Sequence, residues 1–240
     1  MSFYKPFQTK QPGSFGDLKK TGIINILFKV PYEERDEEWK KEYFPNIADA
    51  LLAPGLPQII EGPDGYPYFH LEVPEIDTSF QGFTIKQLSQ DFLFQEGVGL
   101  AINPAKEIPD WVFSYGDIMN FMVSGEFYSQ SNDWISENDI PTDAQVSYSE
   151  PDEKIIPEQT RQVLKKYLQD YKVLAPEFLL KTIAIDGRTK KQLVFKIPPD
   201  LFRHESVHED VVNSLSWFLP KHYTFFWSID ENLNKHFVLI

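Results

Sequence analysis

Proline is the strongest constraint on this chain: eighteen are scattered through 240 residues. Each one fixes its own φ, removes a backbone donor and pushes the preceding residue away from the helical region. Long uninterrupted helices are therefore excluded, and the chain must be assembled from short elements joined by turns. Twenty phenylalanines add a second constraint, since aromatic residues reach 15% of the sequence. The core is expected to be built on rings more than on aliphatic side chains. With 42% hydrophobic and 25% charged residues, the composition is that of a globular protein long enough for one large domain or two small ones.

Several classes fall away at once. The chain has no cysteine, which excludes disulfides, thiol nucleophiles and cysteine-ligated zinc or iron–sulfur sites. Residues 1–20 carry Lys, Gln, Gly and Pro without the apolar stretch of a secretory signal, and no run approaches the ~18 apolar residues of a membrane span. A cytoplasmic setting is expected. A net charge of -13 argues against nucleic acid and anionic membranes as partners, because both are bound through excess Lys and Arg. Solubility alone accounts for such acidity; the expected partner is another protein, with a basic surface that the acidic connection would dock.

Four zones divide the chain. Residues 1–20, with Gln11-Pro12-Gly13-Ser14, read as a loosely held lead-in, and residues 21–128 as an N-terminal α+β domain. Residues 129–155 hold seven acidic residues against Lys154 alone, with Ser, Asn and Pro between them, and read as an acidic linker. Residues 156–240 read as a C-terminal domain in the order α-β-β-α-β-β. The fold class is thus α+β: two small domains, each a mixed or antiparallel sheet packed with a few helices.

Within the first domain, Gly22 to Val30 is an apolar run that reads as a strand. Glu33 to Phe44 reads as a surface helix, with Trp39, Tyr43 and Ile47 as its buried stripe and Asp36–Lys40 and Glu37–Lys41 as ion pairs. The run Glu33-Glu34-Arg35-Asp36-Glu37-Glu38 is read as its solvated first turn. Gly62-Pro63-Asp64-Gly65 predicts a hairpin turn between Ile59-Ile60 and Tyr66–Val73. Phe69, Leu71 and Val73 then share one face, and His70 falls on the other, toward solvent. After a helix near Thr84–Phe94, Gly97-Val98-Gly99-Leu100-Ala101-Ile102-Asn103-Pro104 predicts a buried strand and a stop. Its Gly-x-Gly is no dinucleotide fingerprint, since Ile102 replaces the third glycine and a strand follows.

In the last domain, Pro157 opens a helix with Val163, Leu164, Tyr167, Leu168 and Tyr171 as its apolar stripe. Phe178–Ile185 and Gln192–Ile197 follow as strands, and Tyr223–Ile229 and Lys235–Ile240 close the chain as a strand pair. The hairpin cations Lys181, Arg188, Lys190, Lys191 and Lys196 face either solvent, an anion or the chain's own acidic segment. His204-Glu205-Ser206-Val207-His208 matches the HExxH signature of zinc hydrolases, in which two histidines one helical turn apart hold the metal. Ser206-Val207-His208-Glu209 competes with it as a capping box. A helix that starts at Ser206 leaves His204 outside, and the nearest later carboxylate, Glu231, falls in a turn. The capping box is the preferred reading.

The hairpin on Asp64-Gly65, the helix after it, the strand ending in Ile102-Asn103-Pro104 and the helix through Ile118 and Met119 resemble, in that order, the N-terminal domain of the enhanced-serine-sensitivity (SseB-like) family. The final zone, with its helix ending in Phe218-Leu219-Pro220, resembles that family's C-terminal domain. The chain departs from the pattern in its long acidic connection and in aromatics such as Trp217 and Trp227. The resemblance implies a bacterial, cytoplasmic, two-domain protein without established catalytic residues.

The sequence therefore reads as a non-enzymatic binding or accessory protein acting on another protein. No residue is assigned a catalytic, cofactor-binding or metal-binding role, and no cofactor is implied. Two alternatives stand beside this reading. One is a zinc-dependent hydrolase with His204 and His208 as ligands and Glu205 as base. The other is a small-ligand or peptide binder using an interdomain cleft.

Overall fold

The computed structural model describes residues 16–75 and 79–240. Most of the expected lead-in, Gln11-Pro12-Gly13-Ser14 included, lies outside these. The fold class is α+β, with one unit running to Phe127, a second spanning Tyr128–Ile240, and a mixed sheet in each. No described helix is long and apolar enough to cross a membrane.

The first unit opens with α1 (Leu18–Leu27) where the apolar run suggested a strand. Asp17 caps it, accepting from the Lys19 N–H, so Leu18 to Lys20 form its first turn. The reason for the difference lies in spacing. Thr21, Ile24 and Leu27 are the buried positions while Ile26 is 65% exposed, a three-residue repeat that only a helix delivers. Thr21 Oγ1 also donates to Leu51 O and accepts from Leu51 N, docking the helix to the chain 30 residues on.

Helix α2 (Glu37–Ile47) buries Trp39, Tyr43 and Ile47 as expected. Asp36 is its N-cap, accepting from the Trp39 N–H, so it makes no pair with Lys40. The ion pairs are Glu37–Lys40 and Glu38–Lys41, one residue closer than expected. Strand β1 (Ala53–Glu61) and β2 (Pro67–Glu72) form the expected hairpin, with Gly65 at φ +80 in the turn. Helix α3 (Ile85–Leu88), capped by Thr84, runs through a π-helical turn (Ser89–Leu93) into α4 (Phe94–Glu96). This crossover places β3 (Gly99–Ile102) parallel to β2, and β4 (Trp111–Phe113) is added antiparallel to β3. Helix α5 (Tyr115–Ser124) starts at a capping box made by Ser114 and Asp117.

Register puts Phe69, Leu71, Leu100, Ile102, Trp111 and Phe113 on one face of this sheet. Trp39, Tyr43 and Phe44 of α2 pack their rings around Trp111 at 4.9–5.5 Å, as the ring-rich composition implied. The two glycines of Gly97-Val98-Gly99 have separate structural tasks. Gly97 closes α4 in the left-handed conformation at φ +71. Gly99 lies where a Cβ would come within 2.7 Å of Phe113 O. His70 corrects the solvent-side expectation: it is 7% exposed. The β1–β2 register shifts between Pro54 and Ile59, and Gly55 rests so closely on the imidazole that a Cβ there would be 2.3 Å from it.

The second unit corrects the linker reading. Residues 129–155 contribute strand β5 (Gln145–Ser149), antiparallel to β6 (Glu177–Ile185), and a 3-10 turn at Glu137–Asp139. Helix α6 (Glu158–Asp170) buries Leu164 and Leu168, and its Tyr167 hydroxyl donates to Ser214 Oγ on α7 (Glu205–Phe218). β6 and β7 (Arg188–Lys196) meet at a two-residue turn, Asp186 at φ 50 and Gly187 at φ 71. That Asp-Gly pair suits a tight hairpin turn, so the strands run longer than expected. The last two strands do not pair with each other. β8 (Phe225–Trp227) runs parallel to β7, and β9 (Val238–Leu239) pairs with β6.

Candidate functional site

The carboxyl ends of the parallel strands β2 and β3 open into a cleft of about 400 Å³. In mixed and parallel sheets this end collects ligands, because the chain leaves neighbouring strands there in loops. Glu72, Val73 and Glu75 come from the end of β2, Asn103 and Lys106 from the end of β3, and Asn25, Phe28 and Lys29 from the end of α1.

Asn103 is the pivot. The sequence marked it as the turn that ends a buried strand, and it holds φ 50 there, a left-handed conformation that Asn tolerates better than most residues. Its N–H donates to Leu71 O at 2.8 Å, and its Oδ1 accepts from Val73 N at 3.0 Å. Its Nδ2 donates to Asp110 Oδ2 at 2.6 Å. One side chain thus ties the exits of both strands to a buried carboxylate.

Asp110 pairs with Arg35 at 3.0 Å, their side chains only 4% and 5% exposed. The guanidinium also donates to Asp110 O and Val30 O and lies 5.1–5.7 Å from the rings of Phe28, Tyr32 and Trp39. Lys106 Nζ reaches Asp110 Oδ2 at 2.5 Å from the cleft side. Burial pushes the Asp110 carboxyl up, but hydrogen bonds from Asn103, Lys106 and Arg35, with the Lys106 charge, outweigh it and hold it below the usual carboxylate range. Asp110 and Arg35 lie behind Asn103 and Lys106, and the charged side chains that line the cleft itself are Lys29, Lys106, Glu72 and Glu75. Behind Glu72, His70 Nε2 lies 3.2 Å from Oε1 without hydrogen-bond alignment, so both ring nitrogens are buried without a hydrogen-bond partner.

Sequence reasoning missed Arg35 and Asp110. Arg35 sat inside an acidic run read as solvated, and its partner is 75 residues away. The available signal was the lone cation in that run, placed just ahead of the Asp36 cap.

The HExxH residues are not brought together. His204 is the N-cap of α7, with extended backbone at φ -137, and its side chain is exposed. His208 is 3% exposed and its Nε2 lies 2.9 Å from Ile197 O. A carbonyl only accepts, so Nε2 carries the proton; the ring is further held edge-on by Trp227 and Phe202. Glu205 is exposed at the first helical position, and Glu231 lies in an exposed 3-10 turn. Among the described residues, no group of three His, Asp or Glu is placed to hold a metal ion.

The capping box is corrected too: α7 begins one residue before Ser206 and has no side-chain cap. His208 anchors the helix from inside in its place. Ser206→Ala and His204→Ala are each expected to change stability by less than about 0.5 kcal/mol, while His208→Ala should cost about 2–4 kcal/mol. Urea melts of the three variants check the order; a costly Ser206→Ala would restore the cap.

The hairpin cations divide between ion pairs and the acidic segment. Lys196 pairs with Glu177 at 2.7 Å, Lys181 pairs with Glu137, and Lys190 donates to Asn132 O. Lys191 N–H donates to Asp133 O, and Arg188 is exposed. In return, Glu137, Glu150 (on Arg161 at 2.7 Å) and Asp152 (on the Ile155 N–H) are engaged within the unit.

Compared with known proteins, the chain matches no family model, no curated protein and no solved structure.

Proposed function

We propose that this chain is a non-enzymatic binding protein, an accessory to another protein, and that the strand-end cleft takes a charged segment of that partner. The observation that carries the reading is the convergence of Lys29 and Lys106 with Glu72 and Glu75 around one opening of about 400 Å³. A site offering both signs of charge fixes the direction of a bound segment and rejects wrong ones. The titratable groups beneath it, Arg35 and Asp110, are tied to each other and to backbone, which suits a rigid recognition surface better than proton exchange. A net charge of -13 favours a partner with a basic surface. The resemblance to the enhanced-serine-sensitivity family adds a cytoplasmic, bacterial setting.

A second reading, a free small ligand in the same cleft, is favoured by its volume, which lies in the range of small-molecule sites. Lys29 is exposed at the end of α1, so Lys29→Glu tests both readings without disturbing the fold. Tagged wild-type protein is expected to capture a partner whose yield falls steeply with salt and drops at least tenfold in the variant. Equal capture by both proteins at every salt concentration would sink the cleft as the docking site. A small molecule released from wild-type protein alone, seen by native mass spectrometry, would replace the partner with a free ligand.

A further inference from the structure

One row of polar side chains crosses the second unit's sheet. Lys181 on β6 is paired directly with Gln192 on β7, and Thr224 lies just before β8. Lys181 and Gln192 are 7% and 1% exposed. What buries them is the segment ahead of β5, which crosses the row by polar contacts. Thr224 Oγ1 donates to Ile135 O at 2.7 Å, and Lys190 Nζ donates to Asn132 O. Lys181 Nζ donates to both oxygens of Glu137, at 2.8 and 2.9 Å. With its amide in the orientation that satisfies both ends, Gln192 donates to Glu137 Oε2 at 2.7 Å and accepts from Glu137 N at 3.1 Å. The ring of Phe226 lies 5.2 Å from the Lys181 ammonium.

The two sides of this contact differ in kind. The receiving groups are buried on paired strands of a sheet, whereas the carboxylate comes from a three-residue turn and is half exposed. From Ser136 to Asp143 only Ile140 is even partly buried; the stronger anchors precede it, in Trp134 stacked on Tyr223 at 3.9 Å and in the backbone bonds from Lys191 N–H to Asp133 O and from Ile135 N–H to Lys191 O. A lysine sunk among strands needs an anion, because an unpaired buried charge is strongly disfavoured. Nothing in the geometry requires that anion to come from this segment, since the recognised unit is one carboxylate and one backbone N–H.

We propose that Lys181 and Gln192 form a carboxylate-binding site that reads an acidic side chain together with its own backbone N–H, and that Glu137 fills it from within the chain. When the exposed segment over residues 136–143 lifts, an acidic peptide segment of a partner takes the same place. The acidic stretch is then a strap over a second docking site, distinct from the cleft of the first unit.

Two measurements on the full chain test this. In hydrogen exchange on the wild type, amides of residues 136–143 are expected to exchange well ahead of β6 and β7. Exchange of the strap only together with those strands overturns the lifting step. In Glu137→Ala, sodium propionate, which is the glutamate side chain cut at Cβ, should raise the melting midpoint saturably relative to sodium chloride at equal ionic strength. Neither the wild type nor Glu137→Ala/Lys181→Met should respond. A blocked peptide copying residues 134–140 should give the same rise at concentrations at least tenfold lower. No propionate response in Glu137→Ala overturns the carboxylate site, and a peptide no better than propionate overturns its assignment to a peptide.

Discussion

Asp110→Ala is expected to destabilise the first unit by about 3–5 kcal/mol, the cost of leaving a buried cation without its partner. Arg35 would be that cation: its side chain is 5% exposed and its remaining contacts are backbone oxygens and rings. Asp110→Asn keeps the shape and one acceptor but loses the charge, so most of the effect should survive in it. The pH dependence has a definite sign. Asp110 is held below the usual carboxylate range, so its contribution is fully present above about pH 4, the ordinary value. It is lost as pH falls through the lower folded pKa. The gap between wild type and Asp110→Asn should therefore stay constant from pH 7 to about 4 and close only below that. The two units can unfold separately, so the reporter should be hydrogen exchange of the β2 and β3 amides. A gap under about 1 kcal/mol at pH 7 would mean that water or another group replaces the carboxylate.

That network shows where sequence reading succeeds and where it stops. The hairpin on Asp64-Gly65, the stripe Trp39-Tyr43-Ile47 and the buried strand ending at Asn103 were legible because each is set by local periodicity or by a residue's own φ preference. The run Gly22–Val30 was misread because a short apolar stretch has no period of its own. The Thr21 bond to Leu51 and the burial of Ile24 and Leu27 decide for helix, and both are tertiary facts. His70 was misplaced for a related reason: alternation gives the face of a strand but not what lies over that face, here Gly55. The acidic stretch looked like a linker because composition records charge but not its partner. The Lys181–Glu137 pair spans 44 residues and the Arg35–Asp110 pair 75. Asn103 could be found from sequence as a turn, but its role at the cleft depends on Asp110, which only the fold brings to it.

Trp39→Ala is expected to cost about 3–5 kcal/mol, as for other fully packed aromatic side chains. The indole is 6% exposed, stacks on Tyr43 at 4.6 Å and on Trp111 at 5.5 Å, and donates through Nε1 to Leu27 O at 3.0 Å. Truncation leaves a cavity and removes one of the two hydrogen bonds to Leu27 O, which keeps only the Val30 N–H, at the end of α1, the helix end that carries Phe28 and Lys29 into the cleft. The ring also lies 5.1 Å from the Arg35 guanidinium. Trp39 and Asp110 therefore hold the same cation from two sides, one by its ring face and the other by its charge. Side chains that share a partner are not independent, and coupling between them is typically 0.5–3 kcal/mol. The double variant should accordingly lose less than the two single losses together, because the first substitution has already loosened Arg35. Strict additivity in that cycle would mean that ring cluster and charge network support the cleft separately. A clear shortfall would mean that the support behind the cleft is one cooperative unit, set by an arginine that the sequence hides in an acidic run.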